Sequence, residues 1–261
     1  MPDTQRNVYG RTGFGGASVP AASVDQGLRS YMLSVYNYMS LGLAITGLFA
    51  IGAFMLSVTS DPSVAAARLP NGMMLTQVGV ALFTSPLKWV VMLAPLGMVF
   101  FLSARLHTMS VPGAQIAFYV FAGLMGLSLS SIFLVYTGAS IARVFFITAA
   151  AFGALSLWGY TTKRDLSGMG TFLMMGLIGI VIASVVNIFL GSSMVQFVVS
   201  VLGVLIFSGL TAYDTQRLKS EYYAGDDGTI MGRKAIMGAL SLYLNFINLF
   251  TMLLSLFGNR E

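Results

Sequence analysis

The chain has 261 residues, of which 56% are hydrophobic and only 9% charged, and its mean hydropathy is +0.82. Soluble domains carry roughly a quarter charged residues, so this is an integral membrane protein, and at about 20 residues per crossing it has room for several spans but hardly any extramembrane domain. The formal charge of +5 comes from scattered cations, which speaks for topology signals and against a nucleic-acid partner; zero cysteines exclude disulfides and a thiolate nucleophile, and a single histidine, His107, excludes multi-histidine zinc sites.

Residues 1–22 (MPDTQRNVYGRTGFGGASVPAA) are glycine-rich, lack the apolar stretch of a cleavable signal peptide and read as a flexible cytoplasmic arm. A single transmembrane domain, 23–261, then opens with SVDQGLRSYMLSVYNYM. Ser23 and Gln26 stand at capping-box spacing, and Leu28, Tyr31, Met32, Val35, Tyr36 and Met39 recur at helical spacing. An amphipathic helix lying on the membrane surface before the first span is expected here.

Charges punctuate the rest of the chain, and the uncharged intervals give seven spans, at about 38–58, 86–106, 112–136, 141–160, 168–190, 194–216 and 235–257. The 48 residues between Asp165 and Asp214 are too many for one crossing and break at Gly191, Ser192 and Ser193 into the fifth and sixth spans. Residues 69–87 (LPNGMMLTQVGVALFTSPL) are also uncharged, but two prolines, Asn71 and Gln77 mark them as a partly buried loop. Trp89 and Trp158 lie near span ends, as interfacial anchors do. Of the 14 Lys and Arg residues, all but Arg68, Lys88, Arg143 and Arg260 fall on the N-terminal side of this topology. The positive-inside rule therefore puts the N-terminus in the cytoplasm and the C-terminus outside.

Asp214, in GLTAYDTQRLK, is the only acidic residue that any of these spans contains. It shares a helical stripe with Gly203, Phe207, Leu210 and Thr211, which Arg217 and Leu218 continue. Two readings stand: an interfacial side chain paired with its own Arg217 three residues on, or a working carboxylate. An anion in the last turn of a helix opposes the macrodipole, so an idle aspartate is a poor choice there. Span seven favours the second reading. Its Ser241, Asn245, Asn248, Thr251 and Ser255 recur at spacings of 4, 3, 3 and 4, laying one polar stripe along the helix. Such a stripe cannot face lipid, and a central helix lining a path is its natural host. Arg105 ends span two at roughly the depth of Asp214, so an ion pair between them would close such a path, and protonating Asp214 would weaken it.

The residues speak against an enzyme. Tyr213 and Asp214 spell the dipeptide of intramembrane aspartyl proteases, but the only later aspartates, Asp226 and Asp227, lie in the hydrophilic run YYAGDDGTI. A membrane serine protease needs a base deep in a helix, whereas His107 sits at a loop and no lysine lies mid-span. Nor is there a phosphate-binding glycine loop.

GLTAYDTQRLK closing span six, GALSLYLNFINLFTMLLSLFG in span seven and the SARL ending of span two together resemble the Bax inhibitor-1 family (transmembrane Bax inhibitor motif proteins), in its bacterial branch. The resemblance implies an all-α bundle of seven helices wrapped around the last, in a bacterial inner membrane. It implies a pH-sensitive calcium leak without a resident cofactor, governed by an aspartate on each of the last two spans and latched by an arginine on span two. By position the first aspartate is Asp214, a transient calcium ligand, and the latch is nearest to Arg105. The second aspartate falls on Asn245, a departure that implies weaker calcium binding and a blunted pH response. Asn245 also lies about 16 Å beyond Lys234, deeper than Asp214, so contact between the two requires span seven to start early or span six to run past Arg217. The ion path thus expected comprises Asp214, Asn245, Arg105, Asn248 and Arg217. The alternative is a membrane protein without transport that modulates a membrane protease or a stress or cell-death response, with partner contacts on the arm and on residues 221–234.

Overall fold

The computed structural model describes residues 21–259. α1 (Ala21–Ser57) leads into a small antiparallel sheet, β1 (Val58–Thr59), β2 (Ala67–Arg68) and β3 (Met74–Leu75), with β3 in the middle. There follow α2 (Gln77–Phe83), α3 (Leu87–Arg105), α4 (Val111–Leu129) with a 3-10 extension to Leu134, α5 (Gly138–Thr161), α6 (Ser167–Leu190), α7 (Ser193–Glu221) and α8 (Gly228–Phe257). All but α2 are long and apolar enough to cross a membrane, giving seven candidate spans in an all-α polytopic fold.

The helices begin where the sequence supplies a short oxygen-bearing side chain. Thr76, Ser110, Thr137, Ser192 and Asp227 each accept a hydrogen bond from the backbone N–H three residues on, opening α2, α4, α5, α7 and α8. Between α6 and α7 the chain reverses at Gly191, whose φ of 62° is left-handed and suits a residue without a Cβ. Alternation of the spans gathers the start of α1, the ends of α3, α5 and α7 and the starts of α4, α6 and α8 at one end of the bundle, called here the first end.

α8 occupies the centre. Its apolar window is 56% buried inside the protein, against 11% for α3 and α6. It packs on α1, α4, α5 and α7, while α6 leans on α7, and α3 on α4 and α2. Aromatic rings fill the contacts: Phe118 and Phe121 of α4 meet Tyr243 edge-on with centroids 5.8 and 5.3 Å apart, and Phe145 and Phe152 of α5 meet Phe246. Elsewhere backbones approach closely over glycine. Gly126 of α4 faces the Thr46 carbonyl of α1, and Gly159 of α5 faces the Ala212 carbonyl of α7, so that a Cβ at either would collide with backbone.

The boundaries depart from expectation in three places. The surface helix expected before span one and the span itself form one helix, because Tyr31, Met32, Val35 and Met39 are buried in the bundle core and do not lie on a membrane surface. Residues 69–87 are partly buried, since Leu75 is fully enclosed, but they form a hairpin turning at Gly72 and the helix α2, and not a loop. The sixth and seventh spans are longer than their uncharged cores, running to Glu221 and starting at Gly228. Of the arm, 1–22, only the last two residues are described, and they belong to α1.

The close approaches make a direct prediction. Gly159→Ala and Gly126→Ala should each destabilise the bundle by about 1–3 kcal/mol through forced backbone shifts. Gly153→Ala, where an added methyl meets open space, should be neutral or stabilising. Thermal unfolding of the purified protein in detergent separates the three.

Candidate functional site

Asp214 lies on the buried stripe of α7 that carries Gly203, Phe207, Leu210, Thr211 and Leu218. The extra turn at the end of α7 and the two extra turns at the start of α8 set Asn245 level with it. Asn245 Nδ2 donates to Asp214 Oδ2 at 2.7 Å, and Arg217 Nη2 stands 3.1 Å from Asp214 Oδ1. One carboxylate oxygen is therefore held by an amide of α8 and the other by a guanidinium one turn along its own helix. Asp214 is 8% exposed, and an anion so enclosed depends on both partners, since it has lost the water that would otherwise solvate it.

Arg217 does more than neutralise. The same Nη2 donates to Ser241 Oγ at 3.4 Å, and its Nε stands 3.5 Å from Glu221 Oε1 without the geometry of a hydrogen bond. The guanidinium is thus slung between two carboxylates on α7 and tethered to α8. It also borders a cleft of about 620 Å³ at the first end, with Glu221, Ser241, His107, Arg233 and Lys234. Arg217 thus holds the buried carboxylate while it also lines that open volume, beside Ser241 to which it is bonded. Arg233 closes the far wall by donating to the carbonyls of His107 and Met109.

From Ser241 the polar stripe of α8 runs about 21 Å, at 1.5 Å per residue, to Ser255. Asn248 and Thr251 are half-buried and satisfy themselves within the helix, Asn248 Nδ2 on the Leu244 carbonyl and Thr251 Oγ1 on the Asn248 carbonyl. At the far end Gln196 and Ser200 of α7 donate to Ser255, beside a second polar crevice of about 390 Å³ that includes Asn187 and Ser192. The stripe therefore has one end serine in each of two crevices at opposite ends, with Asp214 and Asn245 near the first.

Arg105 departs from its expected place. It is exposed and makes no ion pair among the described residues, because α3 leans on α4 and not on α7; the cation on Asp214 is Arg217. Sequence reasoning also passed over a chain of hydroxyls from α1 through α5 to α7, in which Tyr36 OH bonds Ser156 Oγ, which lies 2.9 Å from Thr215 Oγ1, which donates to the Thr211 carbonyl. A second such link joins Tyr243 OH of α8 to Thr46 of α1 at 2.6 Å. Single hydroxyls in apolar spans look like packing until their partners are in view. The spacing of Thr211 and Thr215, four apart on the Asp214 stripe, was the signal that could have drawn attention to them.

The family model described as Inhibitor of apoptosis-promoting Bax1 matches residues 28–261, which takes in every span and both partners of the Asp214 site. The chain belongs to the Bax inhibitor-1 family. Among its Bax inhibitor-1 relatives, an uncharacterized protein of Caulobacter vibrioides is 48% identical over 94% of this chain and 96% of its own length. The inner membrane protein YbhL of Escherichia coli K12 is 46% identical over 90% of this chain and 94% of its own. An uncharacterized protein of Rickettsia prowazekii is 45% identical over 91% and 92%. The similarity thus spans nearly the whole of each chain.

A double-mutant cycle measures how far the Asp214 and Asn245 side chains depend on each other. Asp214→Leu and Asn245→Leu, alone and together, should show a coupling of about 1.5–3 kcal/mol, as hydrogen bonds to charged groups do. Additive effects in equilibrium unfolding would mean that the bond contributes nothing.

Proposed function

We propose that this Bax inhibitor-1 protein is a pH-sensitive cation leak of the bacterial inner membrane, in which Asp214 meets the ion and Arg217 is the latch. The observation that carries the reading is the position of Asp214, a buried carboxylate whose guanidinium partner also lines an open cleft and has a second carboxylate, Glu221, to move to. Protonating Asp214 removes the attraction that holds Arg217 over it, while Glu221 keeps the cation on the same face of α7. The other side chains bonded to the pair do not titrate, being Asn245 on Asp214 and Ser241 on Arg217, both from α8. Among residues packed nearby, Tyr31 of α1 lies within electrostatic reach of both Arg217 and Glu221. The cation bias supports a cytoplasmic position for the cleft. YbhL, by its name an inner membrane protein, supports the compartment.

Calcium is the ion this reading names, as cargo and not as a resident metal. Six to eight oxygens surround a bound calcium, whereas Asp214 and the Asn245 amide supply one charge between them. Affinity is accordingly weak, suited to passage. The reading assigns no catalysis. The alternative, a partner-binding role for residues 221–234, has less support, because the charges of that loop are already engaged: Lys234 pairs with Asp226 at 2.6 Å and Asp227 caps α8.

Calcium flux into proteoliposomes between about pH 6 and 8, a range that spans raised carboxylate pKa values, tests the proposal. Wild type should leak above empty vesicles and change with pH, Asp214→Asn should lose the pH dependence, and Asn245→Asp should raise calcium affinity by restoring a second charge. Wild-type flux no greater than that of empty vesicles ends the transport reading.

A further inference from the structure

A groove of about 550 Å³ opens sideways between α1 and α5, and its chemistry differs from end to end. Its walls are Met32, Leu33, Met39, Phe152 and Leu157. The two polar side chains on its floor, Tyr36 and Ser156, are bonded to each other, so no polar atom there calls for water. At the first end it finishes at Arg29, beside Tyr160. Arg29 is exposed and forms no ion pair or side-chain hydrogen bond among the described residues, although Asp25 stands one turn before it on the same helix. From Arg29 to Met39 the groove runs about 15 Å at 1.5 Å per residue, the depth of one leaflet of a hydrocarbon core about 30 Å thick.

We propose that this groove holds an anionic phospholipid, with an acyl chain along Met32 to Met39 and the headgroup phosphate on Arg29. Both faces of the groove belong to membrane-crossing helices, so lipid is what meets it, and the apolar, internally satisfied floor suits an acyl chain. The guanidinium at the interfacial end, unpaired among the described residues, selects the headgroup, since its planar array of donors matches phosphate in two-point contact. The groove between α6 and α7, about 650 Å³ and walled by Phe172, Leu173, Ile180, Val199 and Leu202, shows the contrast: no charged residue borders it, so it has no means of choosing a headgroup.

Native mass spectrometry of the detergent-solubilised full chain, with phosphatidylglycerol or phosphatidylcholine of identical acyl chains added, reads the occupancy. One basic residue near an anionic headgroup corresponds to a preference of about fivefold. Wild type should retain phosphatidylglycerol over phosphatidylcholine by that factor, Arg29→Gln should bring the two lipids level, and Arg68→Gln, which removes the same charge from the opposite end, should leave the preference unchanged. Gly153→Phe should lower retention of both lipids without disturbing the fold, because Gly153 borders the groove and a side chain there meets open space. Equal retention of the two lipids by wild type, a preference that survives Arg29→Gln or falls equally with Arg68→Gln, or unchanged retention in Gly153→Phe would each overturn the proposal.

Discussion

In hydrocarbon a polar side chain has no water to turn to, and that constraint organises this bundle. α8 carries two asparagines, a threonine and two serines along one side, a stripe poorly suited to lipid. α1, α4, α5 and α7 enclose the helix, and the helices left outside, α3 and α6, are the ones with little but apolar surface to show. Asp214 obeys the same rule more strictly. Its two oxygens are satisfied from α8 and from its own helix, which makes the α7–α8 contact a matter of charge as well as of packing.

The fold was largely legible because charges in a membrane protein are sparse and mark the ends of helices. Seven spans and the break at Gly191 follow from that spacing, and the Asp214 stripe follows from helical periodicity. What escaped was continuity across charge. Arg29 lies within α1, Arg217 within α7 and Lys234 within α8, because a long cation tolerates a helix interior where the helix projects beyond the hydrocarbon. Counting from cations therefore cut these helices short. It left Asn245 too deep to reach Asp214, a distance that two extra turns at the start of α8 remove.

The site itself was half legible. Asp214, Asn245 and Arg217 meet, whereas Arg105 stands apart on a peripheral helix, and Asn248 bonds its own backbone. A residue's depth can be read from a sequence, but which neighbour a helix leans on depends on the fit of many side chains. The hydroxyl chain through Tyr36, Ser156 and Thr215 is of that second kind, since it exists only where three helices converge.

The pairing of Asp214 with Arg217 has an electrical consequence. A membrane potential of 100 mV exerts about 2.3 kcal/mol on a unit charge carried across the whole bilayer. The two side chains carry opposite charges 3.1 Å apart, about a tenth of the roughly 30 Å hydrocarbon thickness, so the field acts on their small separation and not on a net charge. Its bias on the pair is at most about 0.2 kcal/mol per 100 mV, below thermal energy. As long as the pair is intact, the energised state of the membrane leaves it almost untouched; neutralising one partner leaves a single uncompensated charge in the field.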